Sequence, residues 1–307
     1  MIAKTGVMRY GVNLLNFGSG TTPDSLVRQA ADARELGFAF AMISDHIAVT
    51  PDVHEVYPAP FYDQFVLAAH LAGRVPGLRL GTTITVIPYR HPLQTARLAA
   101  NLDRLNAAGF ILGAGVGWSA AEYAALGVPF GERGAMTDEY LTAIRAAWRE
   151  DPTSFHGTYV SYEGVRTAPA PASRRLPVWV GGNSRAAQRR AARLGEAWHP
   201  FMPTAAALQE ALPFVAAEAK AAGRPVPDLA PRLQIRLGAR PDTPDRPLGH
   251  GSVDQVADDL ATLAGLGATD VLLDTYPGTP GERAGAADDR RVLELVMSVA
   301  QGTIGTR

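Results

Sequence analysis

The stretch Tyr10-Gly11-Val12-Asn13-Leu14-Leu15-Asn16-Phe17-Gly18 decides between two folds. Tyr10 to Leu15 reads as an apolar strand. Thr22-Pro23-Asp24 behind it opens a helix, with Thr as N-cap, Pro at the first helical position and Asp in the first turn. A strand feeding a helix starts both a doubly wound sheet and a (β/α)8 barrel. The doubly wound sheet rarely runs eight strands in one domain without a G-x-G-x-x-G turn after its first strand, and Asn13 to Gly18 contains none.

Working outward, further apolar runs predict strands at Phe38 to Ile43, Leu78 to Val86, Phe110 to Ala114, Val178 to Val180, Ala197 to His199, Leu233 to Leu237 and Asp270 to Leu273. Helical patterns alternate with them. One runs from Tyr62 to Arg74, and one opens at Pro92 with Leu98, Leu102 and Leu105 on one face. Others run from Ser184 to Leu194, from Thr204 to Ala222, from a capping box at Ser252 to Gln255, and from Arg290 to Ala300. Eight strands with their helices predict a TIM barrel built from residues 1–307 as a single domain. Ser44 to Pro60 is expected as a loop. Residues 119–176 form an insertion between strands four and five, with two helical patterns and a hairpin around His156 to Arg166.

Composition narrows the function. The 307 residues are 47% hydrophobic and 19% charged, enough apolar material for a large core. The net charge of -1 gives no electrostatic case for nucleic acid or an anionic membrane surface. There are no cysteines, so disulfides, Cys-type metal sites and thiolate nucleophiles are excluded. Only Lys4 and Lys220 could support lysine chemistry. No apolar run approaches the ~18 residues of a membrane helix. A cytoplasmic protein acting on a small molecule is expected.

In a barrel, chemistry sits at the C-terminal strand ends. Those positions are Asn13 and Asn16, Ser44-Asp45-His46, Thr83 to His91, Gly113 to Trp118, Gly181-Gly182-Asn183-Ser184, Trp198-His199-Pro200, Arg240 and Asp274-Thr275-Tyr276. Gly181-Gly182-Asn183-Ser184 precedes an arginine-rich helix. It reads either as a phosphate cradle at a helix N-terminus or as a tight turn with an N-cap serine. Gly113-Ala114-Gly115-Val116-Gly117 lets a flat ring lie on the backbone, or lets strand and helix pack closely. Asp45-His46 suits acid–base work better than metal ligation, since no H-x-H or H-E-x-x-H spacing occurs. No metal site is expected, and His46 is the candidate catalytic residue.

These residues, in this order, resemble the luciferase-like monooxygenase family. The resemblance runs through Ser44-Asp45-His46, Gly81-Thr82-Thr83-Ile84, Pro88-Tyr89-Arg90-His91-Pro92, Leu102-Asp103-Arg104-Leu105 and Phe110 to Trp118. It continues through Glu122 to Phe130, Arg133-Gly134, Asp138-Glu139, Pro177 to Ser184 and Trp198-His199-Pro200. The resemblance implies a barrel enzyme that uses the deazaflavin F420, with FMN as the alternative. It implies cofactor contacts from Asp45, Thr83, Ile84, Gly115, Val116, Gly181, Gly182, Asn183 and Ser184, with a non-proline cis peptide near Thr83 and Ile84. His46 falls beside the reactive ring face, and Asn13, Trp118 and His199 fall in the substrate pocket. A homodimer is allowed.

The family's S-G-G-R-F segment is here Asn106-Ala107-Ala108-Gly109-Phe110. Thr50 and Trp118 stand where the F420-dependent sugar-phosphate dehydrogenases place a tryptophan and a glutamate, so that activity is not expected. The leading function is a hydride-transferring oxidoreductase. The alternatives are an FMN-dependent monooxygenase using oxygen and a non-catalytic flavin-binding protein. A metal-dependent barrel hydrolase would want H-x-H after the first strand, where Leu14-Leu15-Asn16 stands.

Overall fold

A computed structural model describes residues 7–172, 176–238, 243, 245–282 and 285–304. Eight parallel strands alternate with helices, and the sheet curls into a ring. The strands are β1 (Arg9–Leu14), β2 (Phe40–Ile43), β3 (Arg79–Thr82), β4 (Phe110–Gly115), β5 (Val178–Gly181) and β6 (Ala197–His199). The last two are β7, in two pieces at Asp228–Leu229 and Arg232–Gln234, and β8 (Asp270–Asp274). Neighbours pair in chain order from β1 to β6, and β1 also pairs with β8.

The ring closes through β7. Its first piece pairs with β6, Leu229 opposite Trp198, and its second pairs with β8, Arg232 opposite Leu272. Pro231 lies between the two pieces and has no N–H to donate, yet β7 keeps both neighbours across it. On the β6 side Ala230 N–H donates to the Trp198 carbonyl at 2.9 Å and Arg232 N–H to the Pro200 carbonyl at 2.8 Å; on the β8 side the Leu229 and Pro231 carbonyls accept Thr269 N–H at 3.0 Å and Leu272 N–H at 2.9 Å. The predicted strand at Leu233 to Leu237 therefore begins earlier and is split. Arg240 lies outside the described residues.

Phe40, Met42, Ile111, Trp179, Ala197, Ala230 and Leu272 fill the barrel interior. The Phe40 ring occupies the space over β1, where a Cβ on Gly11 would come within 2.0 Å of it. Outside, helix Pro23–Glu35 starts at a capping box between Thr22 and Ser25, and helix Val253–Gly265 at one between Ser252 and Gln255. Helix Pro92–Leu105 departs from its predicted face. Its buried side is built of Thr95, Ala96, Ala99, Ala100 and Leu102, while Leu105 is 71% exposed. Small residues there let helix Arg133–Arg149 approach closely enough for Trp148 Nε1 to donate to the Ala96 carbonyl at 2.9 Å.

Residues between β4 and β5 leave the barrel sheet. Helix Arg133–Arg149 packs between helices Pro92–Leu105 and Arg185–Leu194, and a separate hairpin pairs Thr153–His156 with Ser161–Val165. The expected loop after β2 contains a short helix, Pro51–Val56. Among the described residues no helix is long and apolar enough to cross a membrane, and no three His, Asp or Glu side chains cluster as metal ligands.

Candidate active site

The expected third strand breaks. β3 ends at Thr82, the Thr83–Ile84 peptide bond is cis, and pairing resumes at Thr85–Val86. Glycines of β4 accommodate this bulge. A Cβ on Gly113 would lie 1.8 Å from the Thr82 carbonyl oxygen, and one on Gly115 would lie 2.5 Å from Ile84 Cδ1. The Ile84 side chain fills the space where a Gly115 Cβ would stand. Gly181 of β5 takes Ile84 from the other side, with Cγ2 at 2.8 Å from its would-be Cβ.

Beneath the bulge lies a buried polar network. His199, at the end of β6, donates from Nδ1 to the Ala230 carbonyl, which leaves Nε2 to accept from the Thr83 hydroxyl at 3.0 Å. Burial pushes the His199 pKa down to about 4 against the opposing pull of the Ala230 carbonyl, with nearby Arg232 adding to the depression. His199, expected in the substrate pocket, is thus a buried neutral ring that braces the bulge. Arg232 donates to the Thr83 carbonyl at 3.0 Å and pairs with Asp274 at 2.6 Å. Asn13 is buried and gives its amide N–H to the same Asp274 at 3.0 Å, while its Oδ1 has no hydrogen-bond partner among the described residues.

Asp45 and His46 follow β2 and diverge, as adjacent strand-end side chains should. Asp45 is buried, with both oxygens held by Arg90 at 2.7 and 2.9 Å and one also by Val86 N–H at 2.9 Å. Its carboxylate ties the end of β2 to the far side of the bulge. His46 faces an aromatic group, with Tyr57, Phe61 and Trp118 ring centres 5.3, 5.4 and 5.9 Å away. Its Nδ1 lies 2.6 Å from Glu122, and Nε2 has no hydrogen-bond partner among the described residues. Trp118, after β4, is 47% exposed and forms an open wall beside His46. The carbonyl of neighbouring Val116 accepts the Tyr123 hydroxyl at 2.7 Å.

Glu122, which lies beyond the strand ends in sequence, also contacts His46. It is fully buried at the start of helix Ala120–Ala125. The Ser119-x-x-Glu122 spacing looks like a capping box, which would keep the glutamate local. Instead the side chain reaches across to the loop after β2. Burial acts to raise its pKa. The His46 ring and the Ile47 and Ala48 N–H groups outweigh that and hold it below the usual carboxylate range. Arg232 was passed over because the apolar signal of β7 starts one residue later.

Gly181-Gly182-Asn183-Ser184 ends β5 and opens helix Arg185–Leu194, with the Ser184 hydroxyl capping Ala187 N–H at 3.2 Å. Gly182 has φ +114 and gives its N–H to the His199 carbonyl at 3.3 Å, so that amide serves the β5–β6 seam. Asn183 exchanges two hydrogen bonds with the Phe201 backbone at 2.7 and 2.9 Å and braces the loop after β6. The helix's own first N–H groups have no intrahelical acceptor and are the ones suited to an anion. A cleft of about 770 Å³ lies elsewhere, lined by helix and hairpin residues and by no strand end. Its arginines pair with Glu218 and Asp138, so it offers no rival site.

Comparison with known proteins agrees with the barrel fold. The luciferase-like monooxygenase family matches residues 8–245. An uncharacterized protein of Mycobacterium tuberculosis is 33% identical over 178 residues, which is 53% of this chain and 61% of the relative. An F420-dependent glucose-6-phosphate dehydrogenase of Intrasporangium calvum is 33% identical over 180 residues, 57% of this chain and 52% of that protein. The chain thus spans only about half to three-fifths of these curated relatives. The fold is shared with an F420-dependent secondary alcohol dehydrogenase solved with an F420–acetone adduct. The TM-score is 0.79 and the identity 15%, over 96% of this chain and 99% of that one.

Proposed function

This chain belongs to the luciferase-like monooxygenase family, and we propose that it is an F420-dependent oxidoreductase acting on a small apolar carbonyl or unsaturated compound. The observation that carries the reading is His46. It stands at a strand end with a buried carboxylate on one ring nitrogen, none of the described residues on the other, and an aromatic group around it. The F420 dependence of the Intrasporangium calvum relative supports the choice of cofactor.

The residues present fit a flavin-type group. The Ile84 bulge, with Trp118 and the His46 face, suits a flat ring. The helix that starts behind Ser184 suits its phosphate. Reduced F420 supplies a hydride when bound, and the protein's share is to bind, orient and move a proton. His46 first takes a proton from solvent on Nε2 and then, as the imidazolium, delivers it to the atom that did not take the hydride, so the product gains two electrons and two hydrogens. Trp118 stands where sugar-phosphate dehydrogenases carry a glutamate. Exposed Ile47 and Phe201 lie on the loops after β2 and β6, so the rim favours an apolar substrate over a sugar phosphate.

The test is a pair of titrations of the purified protein, followed by absorbance and fluorescence, with F420 and with FMN. Tighter binding of F420, by tenfold or more, is the expected result. Tighter binding of FMN would replace this reading with a flavin monooxygenase. Binding of neither would overturn it.

A further inference from the structure

The carboxylate that holds His46 receives four donors and nothing else. Glu122 Oε1 accepts Ile47 N–H at 2.7 Å and Ala48 N–H at 3.0 Å. Oε2 accepts His46 Nδ1 at 2.6 Å and the Tyr89 hydroxyl at 3.0 Å. Tyr89 follows the bulge, the two N–H groups follow β2, and Glu122 itself follows β4. Three neighbouring strand ends thus converge on one buried anion. A short charge-assisted hydrogen bond of this kind is about twice as strong as a neutral one. Burial and the adjacent carboxylate push the Tyr89 pKa up, so its hydroxyl remains a donor to Oε2.

We infer that Glu122 is the positioning residue for His46. It accepts from Nδ1–H and so fixes the ring in the tautomer that presents Nε2 to a ligand in the barrel mouth. A neutral imidazole has one N–H, and an ionised carboxylate can only accept, so the proton on the Glu122 side must sit on Nδ1. Nε2 is then the atom that gains and loses the exchangeable proton. This rests on the proposed role of His46 in turnover, but the tautomer itself can be read without any turnover.

Glu122→Gln gives the sharpest test, because an amide cannot serve four donors. Its oxygen still satisfies Ile47 and Ala48 N–H, and its NH2 then points at His46 Nδ1. Nδ1 must become the acceptor and the ring proton must move to Nε2.

The experiment is ¹⁵N-histidine labelling of the full chain with long-range ¹H–¹⁵N NMR, the His46 signals being assigned by their loss in His46→Gln. The wild type should show Nδ1 protonated at neutral form, Glu122→Gln should show Nε2 protonated, and Tyr89→Phe should leave the wild-type pattern. Single-turnover oxidation of bound reduced cofactor should fall at least tenfold in Glu122→Gln, with cofactor affinity within twofold of wild type. Nε2–H in the wild type would overturn the inference outright, even if the variant failed to fold. So would an unchanged tautomer in Glu122→Gln. A switched tautomer with an unchanged rate would overturn the positioning role if His46→Ala is slow. If His46→Ala is also unaffected, the proton role of His46 fails while the tautomer assignment stands.

Discussion

The ends of β2 and β6 each carry a histidine, and the two have opposite chemistry. His46 offers Nδ1 to a carboxylate, and its Nε2 has no partner among the described residues. His199 has both nitrogens taken, by the Ala230 carbonyl and the Thr83 hydroxyl, and burial keeps it neutral. The residue type and the strand-end position are the same. What differs is the partner on Nδ1 and whether Thr83 takes Nε2. Position along a barrel strand therefore nominates a residue, and only its partners decide between proton transfer and bracing.

The largest expected effect separates the two histidines by rate. His46→Ala should lower turnover by ~10²–10⁴ while cofactor affinity stays nearly intact. His199→Asn, which keeps a donor toward Ala230, should leave the turnover of the folded protein within a few-fold. Equal loss in both variants would erase the distinction.

Stability against pH sharpens it. The folded pKa of His199 lies at about 4, below its ordinary value of 6.5. Its contribution to stability is present above pH 6.5 and is lost as the pH falls toward 4, because the unfolded chain takes up the proton first. The gap corresponds to at most about 3 kcal/mol. Denaturant melts between pH 7 and 4 should show His199→Asn losing less stability than the wild type over that span. Parallel curves would mean the ring is not buried neutral.

A smaller effect should follow from Thr83→Ala, which removes the hydroxyl from His199 Nε2. About 1 kcal/mol of stability should go, the cost of one buried acceptor left without its donor. A urea melt measures it, and the ¹⁵N pattern of His46 should not change.

The barrel could be read from the chain because its signals are local. Thr22-Pro23 and Ser252 to Gln255 announce helix starts within a few residues, and the apolar runs announce strands. The break in β7 was hidden because the extent of its two pieces is set by pairing with β6 and β8, strands distant in sequence. The division between the histidines was hidden for the same reason. Ala230, Thr83 and Glu122 reach their partners from 31, 116 and 76 residues away. Helix Pro92–Leu105 misled differently. Its leucines gave the stronger apolar signal, but close helix packing added Ala96, Ala99 and Ala100 to the buried face and left Leu105 exposed.

The side-chain-free face of β4 also bears on how such a barrel can diversify. At Gly113 even a methyl group would overlap the Thr82 carbonyl, and at Gly115 it would overlap Ile84. No alternative rotamer relieves the first clash, since the obstructing atom is backbone. Directed evolution toward new substrates must therefore work through the rim, at Ile47, Trp118 and Phe201, where the side chains stand in solvent. The floor is a position of zero mutational freedom. A library that randomised it would return mostly unfolded chains, whereas one confined to the rim would sample new specificities on an unchanged scaffold.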